Sequence, residues 1–278
     1  MSVLNSATST GPKPASPLGT VVITGASAGI GKAYADRFAR RGYDLILIAR
    51  RGDLLAAIAK DLSARYGVSV SGVPADLGNI ADITRVADLI AADARISVLI
   101  NNAGASTSGP VVAISTASVA AMLDVNITAL VHLSRAALLA FKTRDAGTLI
   151  NVGSILGFKA LPNSAIYSAS KAFVTMFTRS LQDEVAGSSV KVQLLSPAAT
   201  ATDIWELSGV PLSALDPATV MRVDDLVDAA MAGLDLGEAV TLPSVAAPAD
   251  LLAAFDAASL GLLGSAQTSA PAARYAVK

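Results

Sequence analysis

Seven short apolar runs rich in β-branched residues alternate along this chain with longer stretches whose apolar residues recur every three or four positions. No other feature limits the fold as strongly. Apolar strands of this kind must be covered on both faces, and parallel neighbours need a crossover long enough to hold a helix. The runs TVVIT (20–24), DLILIA (44–49), VSVSGV (68–73), ISVLIN (96–101), TLINVG (148–153), VKVQLL (190–195) and AVTLP (239–243) predict strands. Helical periods cover 29–42, 53–67, 80–94, 119–142, 164–187 and 223–234, with Gly42, Gly67 and Gly187 at expected C-caps. The predicted fold is α/β, a single-domain doubly wound parallel sheet of about seven strands flanked by helices on both faces, over residues 20–263. Residues 1–19, rich in Ser, Thr, Pro and Gly, read as a flexible arm, and 264–278 as a C-terminal tail after a helix at 250–260. The irregular stretch 203–222, just after the sixth strand, reads as a ligand lid or a surface loop.

Composition removes several classes of function. The chain has 278 residues, 53% of them apolar, and a formal charge of -1, so it carries a sizeable core and no general attraction to nucleic acid or an anionic membrane. It has no cysteine and one histidine, His132, which excludes thiolate chemistry and leaves no soft ligand set for a metal. The start of the chain lacks a secretion signal's basic and apolar regions, and no uninterrupted apolar run approaches the roughly 18 residues of a membrane span. The expectation is a cytoplasmic protein with a small-molecule partner.

VVITGASAGIG sets Gly25, Gly29, Ile30 and Gly31 between the first strand and first helix. Glycines there let the backbone close on a pyrophosphate, which then meets free amides at the positive end of the helix. The second strand ends in neutral Ala49 followed by Arg50 and Arg51. A carboxylate at that strand end would repel a ribose 2′-phosphate, whereas arginine presents a fork of donors to it, so the pattern favours NADP(H) over NAD(H). Arg50 is the preferred contact and Ser27 adds a hydroxyl, while Arg51 either joins them or is a solvated charge. ADL puts Asp76 and Leu77 after the third strand, where Asp76 either accepts from an adenine amino group or caps the next helix. NNAG puts Asn102, Ala103 and Gly104 after the fourth, close to a ribose.

TGASAGIG, NNAG, Asn126 in DVNITA, Ser154 in NVGSILG and YSASK, with Tyr167 and Lys171, together resemble the short-chain dehydrogenase/reductase family over about residues 20–243. The resemblance implies a Rossmann-type fold, a nicotinamide cofactor, interconversion of alcohols and carbonyls, and frequent dimers or tetramers. The chemistry of the residues agrees. A free phenol with a pKa near 10 exchanges protons poorly at neutral pH, and Lys171, one turn away on the same helical face, supplies a charge that favours phenolate. Its ammonium also reaches the nicotinamide ribose. Ser154 orients the substrate oxygen, and by the resemblance Asn126 holds a water linking Lys171 to solvent. His132 has no catalytic part.

One departure stands out. Where the family commonly has Pro-Gly after the sixth strand, SPAATATDI has Pro197-Ala198, a change that puts the nicotinamide contacts in doubt; Pro197, Thr200 and Thr202 still match. The segments 105–110, 155–160 and 203–222 are small or apolar and carry no arginine cluster, so the expected substrate is an uncharged, largely hydrophobic ketone or secondary alcohol, with Lys159 on the rim. The leading reading is an NADP(H)-dependent carbonyl reductase acting as a homodimer or homotetramer. A sugar-nucleotide epimerase or dehydratase, which shares the Tyr and Lys pair, is disfavoured by the GxxxGxG spacing and the lack of a large C-terminal substrate domain. A non-catalytic NADP(H) sensor is disfavoured by Ser154, which a sensor does not need.

Overall fold

The structure is a computed structural model that describes residues 15–275. The expected arm therefore lies outside the described residues up to position 14, as do the last three residues of the tail. The described residues fall into two compact units, the first ending at Pro243 and the second beginning at Ser244.

The first unit holds all the strands: β1 Thr20–Thr24, β2 Asp44–Ala49, β3 Val70–Pro74, β4 Ile96–Asn101, β5 Gly147–Val152, β6 Val190–Leu195 and β7 Val240–Thr241. They form one parallel sheet in the order β3-β2-β1-β4-β5-β6-β7. The helices are α1 Gly29–Arg40, α2 Gly52–Tyr66, α3 Ile80–Ala92, α4 Thr116–Leu123, α5 Leu130–Thr143, α6 Ala165–Glu184, α7 Ile204–Leu207 and α8 Val223–Leu236. Alternate residues of β1 enter two different cores. Val21 and Ile23 pack with Phe38 of α1, Leu55 of α2 and Val227 of α8. Val22 packs with Val86 of α3, Leu133 and Phe141 of α5 and Leu181 of α6. That division is why the strand reads as an unbroken apolar run: both of its faces are buried.

The chain order reverses between β1 and β4, which opens a crevice at their carboxyl ends, the place where doubly wound sheets bind ligands. Thr24 closes the crevice floor. Its hydroxyl donates to the Ile100 carbonyl at 3.2 Å and accepts from the Asn102 and Ala103 amides, each at 2.9 Å.

Element boundaries depart from the sequence pattern in instructive places. β3, at the sheet edge, begins two residues later than expected. Gly67 is the left-handed C-cap of α2, but α1 and α6 close on Arg41 and Val185, with Gly42 and Gly187 following at positive φ. The single helix expected over 119–142 is instead α4 and α5 joined by a π-helical segment, Asp124–Ala129. An 18-residue window within the run Thr116–Thr143 has a mean hydropathy of 1.4, and by length and composition alone the run would span a membrane. It is better explained as a core helix, since Leu130, Leu133, Ala137 and Phe141 are buried and Asp124, His132 and Arg135 interrupt it.

The second unit contains α9, Pro248–Leu260, a π turn at Gly261–Ser265 and a 3-10 turn at Ala273–Tyr275.

Candidate active site

The glycine loop between β1 and α1 meets the requirements of a pyrophosphate seat. A Cβ on Gly31 would lie 2.4 Å from the Gly25 carbonyl oxygen and 2.5 Å from Asn102 Nδ2, so only glycine lets the helix start this close to the strand end. Ala28, the N-cap of α1, offers no side-chain oxygen to the first-turn amides, and no acidic residue occupies that turn. The amides and the positive helix end are therefore left for an anion. Ile30 leans its side chain on the core, so its contribution falls to its backbone.

Asn102, expected beside a ribose, has a structural part as well. Its Nδ2 donates to the Thr24 carbonyl at 2.9 Å and the Gly25 carbonyl at 3.4 Å, which ties the NNAG turn to the glycine loop. Asn101, which the sequence reading passed over, is buried and donates to Ser134 at 2.9 Å and Asn151 at 3.0 Å, joining β4 to α5 and β5. Adjacent polar residues in NNAG were the available signal, because consecutive strand residues face opposite sides.

The two arginines diverge. Arg51 donates to Ser27 Oγ at 3.1 Å, across the entrance of the glycine loop. Arg50 instead lines a cavity of about 320 Å³ with Pro74, Ala75 and Asp76. The carboxylate there is shaped by its neighbours: Asp76 Oδ1 accepts from Gly78 N at 3.0 Å, and Asp82 holds the Asp76 amide at 2.7 Å. Asp76 is not the helix cap, since Asn79 caps α3 through Ala81 N. Leu77 turns its side chain into the core, which leaves only its backbone for a ligand.

At the other end of the crevice, Ser154 follows β5 and Tyr167 and Lys171 lie on the first two turns of α6. Gly157 brings these elements together. A Cβ there would lie 2.4 Å from Thr175 Oγ1 and 2.6 Å from the Lys171 carbonyl oxygen, so the turn after Ser154 rests directly on α6. The Ser154 hydroxyl neighbours the Tyr167 phenol and works against the effect of its burial, and Ser154 Oγ accepts from Leu156 N at 3.2 Å. Lys171 is 5% exposed, its Nζ donates to the Val152 carbonyl at 2.9 Å and lies 5.8 Å from the centre of the Tyr167 ring.

Burial governs the proton affinities. It pushes the Tyr167 phenol above its ordinary value, with the Ser154 hydroxyl pulling the other way, and it draws the Lys171 ammonium down to about 8. The lowering of Tyr167 by Lys171 expected from their spacing does not dominate here. The ammonium is committed to a backbone carbonyl, and desolvation outweighs its field.

Asn126 sits in the π segment, and its side chain is spent on the loop after β4. Oδ1 accepts from Ala105 N at 2.8 Å, and Nδ2 donates to Ala105 O at 2.9 Å and Ser170 Oγ at 3.0 Å. Ser170 in turn donates to the Tyr167 carbonyl at 2.7 Å. With both side-chain ends committed to protein partners, the water that the family resemblance assigns to Asn126 would fall to its backbone.

After β6, Thr202 lies against the glycine loop: a Cβ on Gly29 would come 3.2 Å from Thr202 Cγ2. Thr200 is buried, and its carbonyl accepts from Trp205 Nε1 at 2.8 Å. Pro197 O accepts from Ile155 N at 2.9 Å and Ala198 O from the Thr200 hydroxyl at 3.0 Å. Outside glycine, only Asp145 and Asn163 among the described residues have positive φ, so Ala198 fits without strain. The loops flanking the crevice are tied: Ser108 N donates to Ser208 O at 3.1 Å and Gly109 N to Asn163 O at 2.8 Å. His132 and Lys159 are exposed.

The sequence model of the short chain dehydrogenases matches residues 19–209, and the chain belongs to that family. A short-chain dehydrogenase from Sphingobium yanoikuyae in complex with NADPH superposes with a TM-score of 0.88 at 41% identity, over 91% of this chain and 98% of that one. A bulky-bulky ketone specific alcohol dehydrogenase from Comamonas testosteroni gives a TM-score of 0.83 at 35% identity, over 92% and 98%. Very-long-chain 3-oxoacyl-CoA reductase-B of Danio rerio is 35% identical over 66% of this chain, and the match spans 60% of that enzyme's length. The fold and the family are those expected from the sequence motifs.

Proposed function

We propose that this protein catalyses reversible hydride transfer between NADP(H) and an uncharged, largely hydrophobic ketone or secondary alcohol. The observation that carries the reading is the convergence of Ser154, just after β5, with Tyr167 and buried Lys171 on α6, at the same carboxyl ends of the strands as the glycine loop. Bound in the crevice, a nicotinamide dinucleotide supplies or accepts the hydride. The amides of the Gly25–Gly31 loop and Thr202 are suited to its diphosphate, Asp76 to adenine, Ala103, Gly104 and Lys171 to ribose hydroxyls, and Pro197 and Thr200 to the carboxamide. Ser27, Arg51 and Arg50 would face a 2′-phosphate, and neutral Ala49 does not repel one.

Ser154 Oγ holds the substrate oxygen against Tyr167, and the phenol gives that oxygen its proton as the carbonyl is reduced. The raised proton affinity of Tyr167 keeps it protonated, as an acid must be in this direction. Lys171 and the backbone of the Asn126 segment return the proton from solvent. The apolar character of the substrate is supported by half-buried Ile155, Leu156, Phe158 and Trp205, and by exposed Val111, Val112, Leu161 and Leu207 on the same loops. Reduction of a panel of ketones, graded in bulk and charge, with NADPH and NADH in parallel tests the reading. Bulky uncharged ketones with NADPH are expected to be turned over fastest. Equal use of NADH would refute the phosphate assignment, and preference for anionic substrates would refute the pocket assignment.

The same reading includes a homodimer or homotetramer. It is supported by exposed Phe173 and Met176 on α6, with Phe173 stacked on Phe177 at 5.6 Å between ring centres, an apolar patch on an otherwise well-packed helix. Light scattering is expected to give a mass of two or four chains, and a mass of one chain would refute it.

A further inference from the structure

A groove of about 290 Å³ runs between α1 and α2 and begins at Ser27, the residue whose hydroxyl already accepts from Arg51. Lys32, in the first turn of α1, lines it. The charges farther along the groove are mutually satisfied. Asp36 bonds Arg37, Arg65 and Tyr66, and Asp61 bonds Arg65. Lys32 is exposed and has no ion pair among the described residues. Lys32 of α1 and Ser27 thus line the same groove, and Arg51, at the start of α2, reaches the Ser27 hydroxyl from the other side. Neither Lys32 nor Arg51 has an ion pair among the described residues, and a bound dianion would engage both.

We propose that Lys32 is a further ligand of the adenosine 2′-phosphate, closing with Ser27 and Arg51 a seat built from three directions. Arg51 supplies a planar fork, Ser27 a hydroxyl, and Lys32 a compact charge on a stem long enough to follow the phosphate. Cofactor choice is then set by α1 as well as by the end of β2. Substitutions confined to Arg50 and Arg51 leave part of the preference for the phosphorylated dinucleotide in place. The inference rests on the NADP(H) reading above, and its test separates the two.

Calorimetric titration of the full chain with 2′,5′-ADP and, separately, with 5′-ADP measures the phosphate contribution without turnover. In Lys32→Met the affinity for 2′,5′-ADP is expected to fall about tenfold while that for 5′-ADP changes by less than about twofold, the loss of one exposed charge-assisted contact. Lys32→Arg is expected to restore most of the loss, and Arg51→Ala to cause a loss of the same selective kind. If Lys32→Met leaves 2′,5′-ADP binding unchanged, or weakens both ligands equally, the role of Lys32 is refuted while the NADP(H) reading stands. If the unaltered protein binds both ligands with the same affinity, the phosphate reading falls and Lys32 loses its role with it. Lys32 is exposed, so these variants are expected to fold normally.

Discussion

Tyr167→Phe is expected to lower kcat for ketone reduction by about a thousandfold while leaving dinucleotide affinity unchanged. The substitution removes one oxygen and keeps the ring, so packing at this half-buried position survives and the Ser154 hydroxyl retains its bond from Leu156 N. What disappears is the hydroxyl beside Ser154 that can deliver a proton. General acid catalysis contributes about two to four orders of magnitude, which sets the size of the effect. Stopped-flow turnover together with fluorescence titration of the dinucleotide separates a chemical defect from a binding one. Turnover within about tenfold of the unaltered protein would remove Tyr167 from the mechanism and leave Ser154 without a catalytic partner.

Lys171→Met is expected to move stability and activity in opposite directions. Burial holds the Lys171 ammonium at about 8 against an ordinary value of 10.5, so carrying its charge at neutral pH costs the folded state on the order of 3 kcal/mol. Methionine removes that cost and gives back about 1 kcal/mol for the lost bond to the Val152 carbonyl. A net gain of about 2 kcal/mol corresponds to a rise in Tm of about 5 °C for a chain of this size, while turnover falls at least about a hundredfold.

The pH dependence identifies the cause. Because the folded value is the lower one, the unaltered protein bears the full cost below about pH 8 and sheds it as pH rises toward 10.5, where the unfolded lysine also loses its proton. The advantage of the variant in dinucleotide-free thermal unfolding should therefore be largest near neutrality and shrink through that window. A variant less stable at pH 7, or a difference flat from pH 7 to 10, would show that Lys171 is not held at a cost. A buried charge kept at such expense is the usual sign of a functional site.

Much of the fold was legible because it rests on periodicity. A strand buried on both faces has to be apolar throughout, as Val21, Val22 and Ile23 are, and a crossover helix has to repeat its apolar positions every three or four residues. Residues whose chemistry depends on an element's end were legible too: glycines before α1, Ser154 after β5, and Tyr167 and Lys171 one turn apart. What a side chain does once it leaves the element was not. The sequence suggests a ribose neighbour at Asn102, where the structure shows a tie between two loops, and it allows Asp76 to be a cap, a part that Asn79 takes. The π segment that carries Asn126 leaves no mark in the apolar pattern, because it alters one turn of a helix that is apolar before and after it.

The sequence by itself determined the layered sheet, the order of its motifs and the family, since all three follow from local spacing and from which residue types can sit at a strand end. Only the tertiary structure decided which arginine reaches Ser27, in which direction burial shifts Tyr167 and Lys171, and that Lys32 lines the groove that begins at Ser27. Direction and desolvation are properties of what surrounds a side chain, and the surroundings here come from segments as far apart in the chain as Ser154 and Lys171, or Ser27 and Arg51.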